Sequence, residues 1–120
     1  MQLTLPEPAL RELPSGLTLV TLRDETSNLV TVRWRSRLAL EDSVPMGLPR
    51  LLASLLTEGT RAHPGQSFVA AVEALGTTLE SDADGDALEL ALTVLPEDLP
   101  AALALLAEAV TSPQWEPSTF

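Results

Sequence analysis

The first third of the chain contains short segments typical of β-strands, and in the last of them hydrophobic and polar positions alternate with a period of two. Two segments that begin and end with leucine, 10–13 and 17–22, flank a Pro-Ser-Gly turn at 14–16 and predict a hairpin. Residues 29–40 form the clearest strand, with one mostly apolar face and an opposite face that carries three arginines. We interpret the arginine face either as a solvated sheet face or as a basic lining that meets acidic groups of a partner or peptide. The arginines are Arg33, Arg35 and Arg37.

The period changes to that of an α-helix after Gly47. Five leucines recur at i, i+3, i+4, i+7 and i+8, so they predict a helix that buries a leucine stripe and is capped by Gly59. We place Arg50, Ala53 and Ser54 on the opposite, polar face of this helix. The stripe consists of Leu48, Leu51, Leu52, Leu55 and Leu56.

Two more helices and a second hairpin are predicted downstream. The helical period returns over residues 68–75, and Gly76 stops that helix. Strands over 77–83 and 86–95 flank an Asp-Gly turn, which favours a short hairpin. A third helix begins at Pro96. Its predicted apolar stripe is Leu99, Leu103, Leu106 and Val110.

The predicted element order is β-β-β-α-α-β-β-α. This order mixes antiparallel strands with helices, so we expect an α+β fold with a mostly antiparallel sheet and helices packed on one face. We treat residues 1–120 as a single domain, and residues 117–120 as the start of another element.

Composition narrows the functional classes. The net charge of −10 argues against nucleic acid and anionic membranes as main partners. Residues 1–6 lack the basic region and apolar run of a secretory leader, and no apolar run approaches the ~18–20 residues that cross a bilayer, so we expect a cytoplasmic protein. Cysteine is absent and histidine occurs once, whereas a catalytic zinc usually takes three histidine, carboxylate or cysteine ligands. The composition therefore argues against a zinc site.

Short motifs considered one at a time do not indicate a metal site, a catalytic site or a phosphate-binding site. The acidic run at 82–86 lacks the glycine and glutamate that an EF-hand calcium loop needs at its sixth and twelfth positions, and fits a hairpin turn. We expect His63, in the loop between two helices, to be solvated. No nucleophilic triad and no glycine-rich phosphate loop is recognisable.

Several segments in the same order resemble one family. Residues 47–60 read GLPRLLASLLTEGT, which resembles the zinc helix of pitrilysin/insulinase-type metallopeptidases, G-[LT]-A-H-[FL]-[LV]-E-H-[ML]-x-[FH]-[KL]-G-T. Residues 73–76 (EALG) are similar to the end of the second helix, and 101–113, followed by Trp115, to the next helix and its ending. The resemblance covers about residues 9–120 and implies a half-domain of the mitochondrial-processing-peptidase-like type. Since family domains are longer, roughly 200 residues, we expect 1–120 to be the N-terminal part of one, incomplete at the C-terminal side.

The sequence differs from the family pattern at the zinc motif. The family binds zinc through H-x-x-E-H, where the glutamate serves as general base. Here Arg50, Ala53 and Ser54 occupy the three positions. Arginine stays cationic, alanine takes no proton and serine is a poor zinc ligand, so we expect no metal, no cofactor and no catalytic residue.

The resemblance then implies a non-catalytic, bacterial partner half of a clamshell peptidase, which binds peptide or a homologous active subunit or second domain. In the family a peptide adds to an edge strand, and Leu79, Glu80 and Ser81 occupy that strand here. An open sheet edge also permits homo-oligomers. The alternatives are a scaffold or interaction domain without a peptide chamber and, third, an active zinc metalloendopeptidase that uses other residues.

Overall fold

A computed structural model describes residues 6–39, 43–85 and 87–115, so the element predicted at 117–120 lies outside the described residues. Within them the predicted order of elements is confirmed. The strands are β1 Ala9–Glu12, β2 Thr18–Thr21, β3 Val30–Arg37, β4 Glu80–Asp84 and β5 Ala87–Val94. The helices are α1 Leu48–Leu55, α2 Gln66–Glu73 and α3 Leu99–Thr111, with a 3₁₀ turn Pro96–Asp98 before α3.

The strands form two antiparallel sheets. β1 and β2 pair only with each other, as the predicted hairpin. The second sheet has the order β3-β5-β4, so β5 is central and β4 lies at one edge of the described part. β4 begins later than predicted, because the Thr77 hydroxyl, not a backbone carbonyl, accepts the Thr93 N–H at 3.4 Å. The α+β prediction with an antiparallel sheet is confirmed.

All three helices pack on one face of the larger sheet. The alternating residues of β5 that were predicted to share a face are all buried against the helices, and those of β3 are partly buried. The opposite face of the sheet carries the charged positions of β3 and β4. The buried residues of β5 on the helix side are Leu88, Leu90, Leu92 and Val94.

The predicted stripe of α1 is wrong in part. Leu48 and Leu51 are exposed, the latter by 53%. Leu56 is the one leucine of the stripe that is buried, and Leu52 and Leu55 are half-buried. Pro49 and Ala53 are buried as well, which rotates the buried face toward the side of the alanine. A leucine count misses small side chains, which let a helix backbone lie close to a sheet.

The stripe of α3 needs the same correction. Leu103 is 46% exposed, and of the predicted stripe only Leu106 is fully buried. Ala102, Leu105 and Ala109 are buried beside Leu106, so the core face of α3 includes two alanines and a leucine that the predicted stripe left out.

Candidate functional site

The candidate site lies where α1 passes β4, the edge strand of the sheet. Arg50, in the first turns of α1, is exposed, and its Nη2 atom lies 3.8 Å from Oδ1 of Asp82 on β4. Ser54, one turn later, is exposed too, and its hydroxyl donates to the carbonyl of Arg50 at 3.0 Å. The fold thus places Arg50, the first of the three motif positions, beside the predicted peptide-binding strand.

Ala53 does not share the exposed face with its neighbours. Its exposed fraction is 1%, and it belongs to the core cluster that also contains Leu56 and Phe68. The prediction of a polar face is therefore right for Arg50 and Ser54 and wrong for Ala53. On a helix, position 53 is rotated about 100° from position 54, enough to turn a side chain from solvent into the core.

The donor set on α1 does not fit a zinc ion. The Arg50 guanidinium is cationic and has no lone pair for a metal. Ala53 offers no donor atom, and the Ser54 hydroxyl is bonded back onto its own helix. Among the described residues, no three histidine or acidic side chains are grouped so that they could hold a metal ion.

The predicted edge-strand residues lie where β4 begins. Leu79 precedes the strand and packs partly against the core, whereas Glu80 and Ser81 are its first two residues and are exposed. Glu80 pairs with Ala91 of β5, and Ser81 with Leu90. No described strand pairs with the other side of β4, so this edge is open within the described part of the chain.

The register identifies the backbone groups at the open edge. Asp84 and Ala87 pair across a two-residue turn, as the bonded residues next to such a hairpin do. Bonded and non-bonded residues alternate along an antiparallel pair, so Ser81 and Ala83 direct their N–H and C=O groups away from β5. The Ala83 N–H agrees with this assignment, because it donates to Oδ1 of Asp82 at 2.8 Å.

The outer face of the sheet is an arginine–carboxylate ladder. Glu89 of β5 accepts hydrogen bonds from Arg33 and, at 3.3 Å, from Arg35. Arg35 also lies 3.8 Å from Asp84. The acidic groups that meet these two arginines therefore come from this chain, which favours the solvated-face interpretation. A shallow depression of about 470 Å³ lies on this face, lined by Arg33, Glu80, Ser81, Asp82, Glu89 and Ala91.

His63 is part of a clamp and not a solvated loop residue. Its Nδ1 atom lies 2.8 Å from Oε2 of Glu108 on α3. Thr60, which is fully buried, donates its hydroxyl to the same oxygen at 3.0 Å and accepts the His63 N–H. The expectation for His63 is thus corrected: the network joins the loop after α1 to α3. Spacing could not reveal it, because the histidine and the glutamate are 45 positions apart.

The end of α1 is fixed to the residues after α3. The indole N–H of Trp115 donates to the carbonyl of Leu55 at 2.6 Å, and Gln114 donates its N–H to Gly59. The Gly-Thr pair in the loop after α1 and the tryptophan after α3 are therefore neighbours in space. These segments carried the family resemblance, and their contacts explain why they occur together.

A model of the insulinase family, peptidase family M16, matches residues 39–120, a range that contains α1, β4 and the clamp. The chain belongs to this family. The insulinase-family assignment confirms the resemblance read from the zinc-helix segment. No protein of curated function matches the chain significantly.

Solved structures agree on the fold. The chain is similar to a protease from Helicobacter pylori, with a TM-score of 0.83 at 19% identity over 97% of the chain. It spans 29% of that protease's length. In the described part of the chain, no helix combines the length and the apolar character needed to cross a membrane.

Proposed function

We propose that this insulinase-family chain is non-catalytic, binds an extended peptide along β4, and acts as the partner half of a zinc-bearing homologous subunit or domain. The observation that carries the proposal is the state of the motif positions on α1. Arg50 lies beside Asp82 of β4, Ser54 is exposed and bonded to its own helix, and Ala53 is part of the core, so none of the three offers a zinc ligand.

The motif positions argue against hydrolysis. Metal-assisted attack on a peptide needs a metal-bound water and a base that accepts its proton. Arg50 and Ala53 provide neither, and the chain's one histidine, His63, is bonded to Glu108 instead. An active zinc metalloendopeptidase built from other residues of this chain is correspondingly disfavoured.

The free edge of β4 supports peptide binding. An extended peptide can add to such an edge through main-chain hydrogen bonds, here to the outward groups of Ser81 and Ala83. Glu80 lies on the outer face next to Ser81 and, as a carboxylate, accepts but does not donate hydrogen bonds. We expect side chains of a bound peptide that are donors or cations to be preferred beside it.

A scaffold or interaction domain without a peptide chamber is the second candidate. Exposed apolar side chains of the β1–β2 hairpin and of α1 favour it, since contiguous apolar surface marks protein contacts. These side chains include Leu10, Val20, Leu48 and Leu51.

Catalysis is tested with the full chain in excess zinc. We expect no stoichiometric metal by mass spectrometry and no cleavage of unstructured peptides. Bound zinc at one equivalent, together with hydrolysis that a chelator abolishes, would overturn the non-catalytic proposal and favour the active peptidase.

Peptide binding is tested by fluorescence anisotropy with labelled extended peptides of about ten residues. Ser81→Pro removes an outward N–H of β4 while an edge strand tolerates the ring, so we expect at least a fivefold loss of affinity. Thr31→Pro is the matched control, because register places the Thr31 N–H on the opposite outer edge of the sheet. Equal losses in both variants, or no peptide binding by the wild type, would favour the scaffold.

The partner is tested by coexpression with an insulinase-family protein that keeps H-x-x-E-H. We expect a complex at micromolar concentration with higher peptidase activity than the homologue alone. A chain that forms only homo-oligomers through the sheet edge, or no complex, would count against the partner-half proposal.

A further inference from the structure

One backbone N–H group on the open edge of β4 is occupied by a side chain of the same strand. The Ala83 N–H faces away from β5, where a strand added to the sheet would accept it. Instead it donates to Oδ1 of Asp82 at 2.8 Å. An added strand must therefore displace this carboxylate before it can pair with Ala83.

The Asp82 carboxylate also lies near a cation on α1. Its Oδ1 atom, the same atom that accepts the Ala83 N–H, lies 3.8 Å from Nη2 of Arg50 on α1. Both side chains are mostly exposed, at 69% and 75%, so the ion pair is weak and open to salt. The ion pair can therefore bias the position of the Asp82 carboxylate only weakly, and an added strand or salt can open it.

We infer that Asp82 and Arg50 form an autoinhibitory latch that competes with strand addition along β4. This inference rests on the proposed function for its physiological ligand, a peptide, and adds the regulation of that site. Its physical basis is general: charged side chains at sheet edges suppress unwanted pairing with other chains. Here the carboxylate does so by occupying the backbone donor itself.

The latch assigns a role to a residue at the variant motif. Arg50 occupies the first position of the family motif, where it cannot bind a metal. Its reach to Asp82 gives it a positioning role, because it holds the carboxylate over the edge. Removing Arg50 should therefore loosen the latch partly, whereas removing Asp82 should open it.

The test measures binding of an uncharged ten-residue peptide, so that a change in the protein's charge does not steer the ligand. We expect Asp82→Ala to tighten binding at least fivefold and Arg50→Ala to tighten it about twofold. Asp82→Asn keeps an oxygen acceptor and should lie between Asp82→Ala and wild type. Asp84→Ala is the matched control, since Asp84 is an acidic residue of the same strand but meets Arg35, and it should change the affinity less than twofold.

Self-association by analytical ultracentrifugation separates the latch from the proposed function. If no variant binds peptide but Asp82→Ala dimerises at lower concentration than wild type and Asp84→Ala, the latch stands and peptide binding fails. If the wild type binds peptide and Asp82→Ala binds within twofold of it, the latch is overturned and peptide binding stands. Asp82→Ala without any gain in peptide binding or self-association, in a protein folded by circular dichroism, also overturns the latch.

Discussion

At the scale of single residues, positions 53 and 54 of α1 face opposite environments. Ala53 contacts the core, whereas Ser54 is exposed and bonds back to Arg50. How much a residue of this helix contributes to stability therefore depends on which face of the helix it occupies, and less on its place in the motif. The difference predicts opposite costs for the same substitution at adjacent positions.

Ala53→Glu should destabilise the chain, because a carboxylate there must be buried without a partner or must push the helix away from the sheet. We expect a loss of about 2–4 kcal/mol in the free energy of unfolding. Ser54→Glu introduces the same residue at an exposed site and should change it by less than about 0.5 kcal/mol. Urea unfolding of both variants checks the prediction; equal effects would mean that Ala53 is not a core residue.

At the scale of elements, the loop after α1 depends on a glycine. α1 ends at Leu55 with its cap at Leu56, so Gly59 lies beyond the helix and does not cap it as predicted. Gly59 has a φ of +152°, and a Cβ added to it would lie 2.5 Å from the backbone nitrogen of Gly65. The turn brings the loop after α1 against the start of α2, and Thr60 then enters the clamp with Glu108. The Gly-Thr pair is thus needed for close packing of backbone on backbone.

Gly59→Ala should therefore cost at least about 2 kcal/mol of unfolding free energy, through both the clash and the unfavourable φ. Gly47→Ala is the control, because a Cβ there meets nothing within 4 Å and its φ of −91° suits any residue. We expect that control to change stability by less than about 1 kcal/mol. Thermal unfolding of the two variants tests the difference, and a mild Gly59 variant would show that the loop can shift.

The same elements show which features the sequence could predict. Alternation along β5 predicted its buried face, and Gly76 predicted the end of α2, because both signals are local. The buried faces of α1 and α3 were missed in part, since burial there follows alanines that pack close to the sheet. The clamp of His63 and the latch at Asp82 were also not predicted, because their contacts join distant segments or depend on backbone direction at an edge.

At the scale of the whole molecule, the strands differ in how far the hydrophobic core stabilises them. β5 is central in the sheet and buried on the helix side, with Leu90 fully buried. β1 and β2 form a sheet of their own, and every residue in them is exposed, including Leu10 at 73%. A two-stranded hairpin without such support is marginally stable in water. Within the described residues the hairpin is therefore the element that has the most to gain from a partner.

Amide hydrogen exchange should reveal this difference. We expect the bonded amides of β1 and β2 in the isolated chain to exchange at least about 1,000-fold faster than those of Leu90 and Leu92, because they open without disturbing the core. Binding of a homologous subunit that covers the hairpin would slow the former and leave the latter unchanged, so β5 serves as the internal control. If the amides of the hairpin in the isolated chain exchange as slowly as those of β5, the prediction is wrong, because the hairpin would then be stable without a partner.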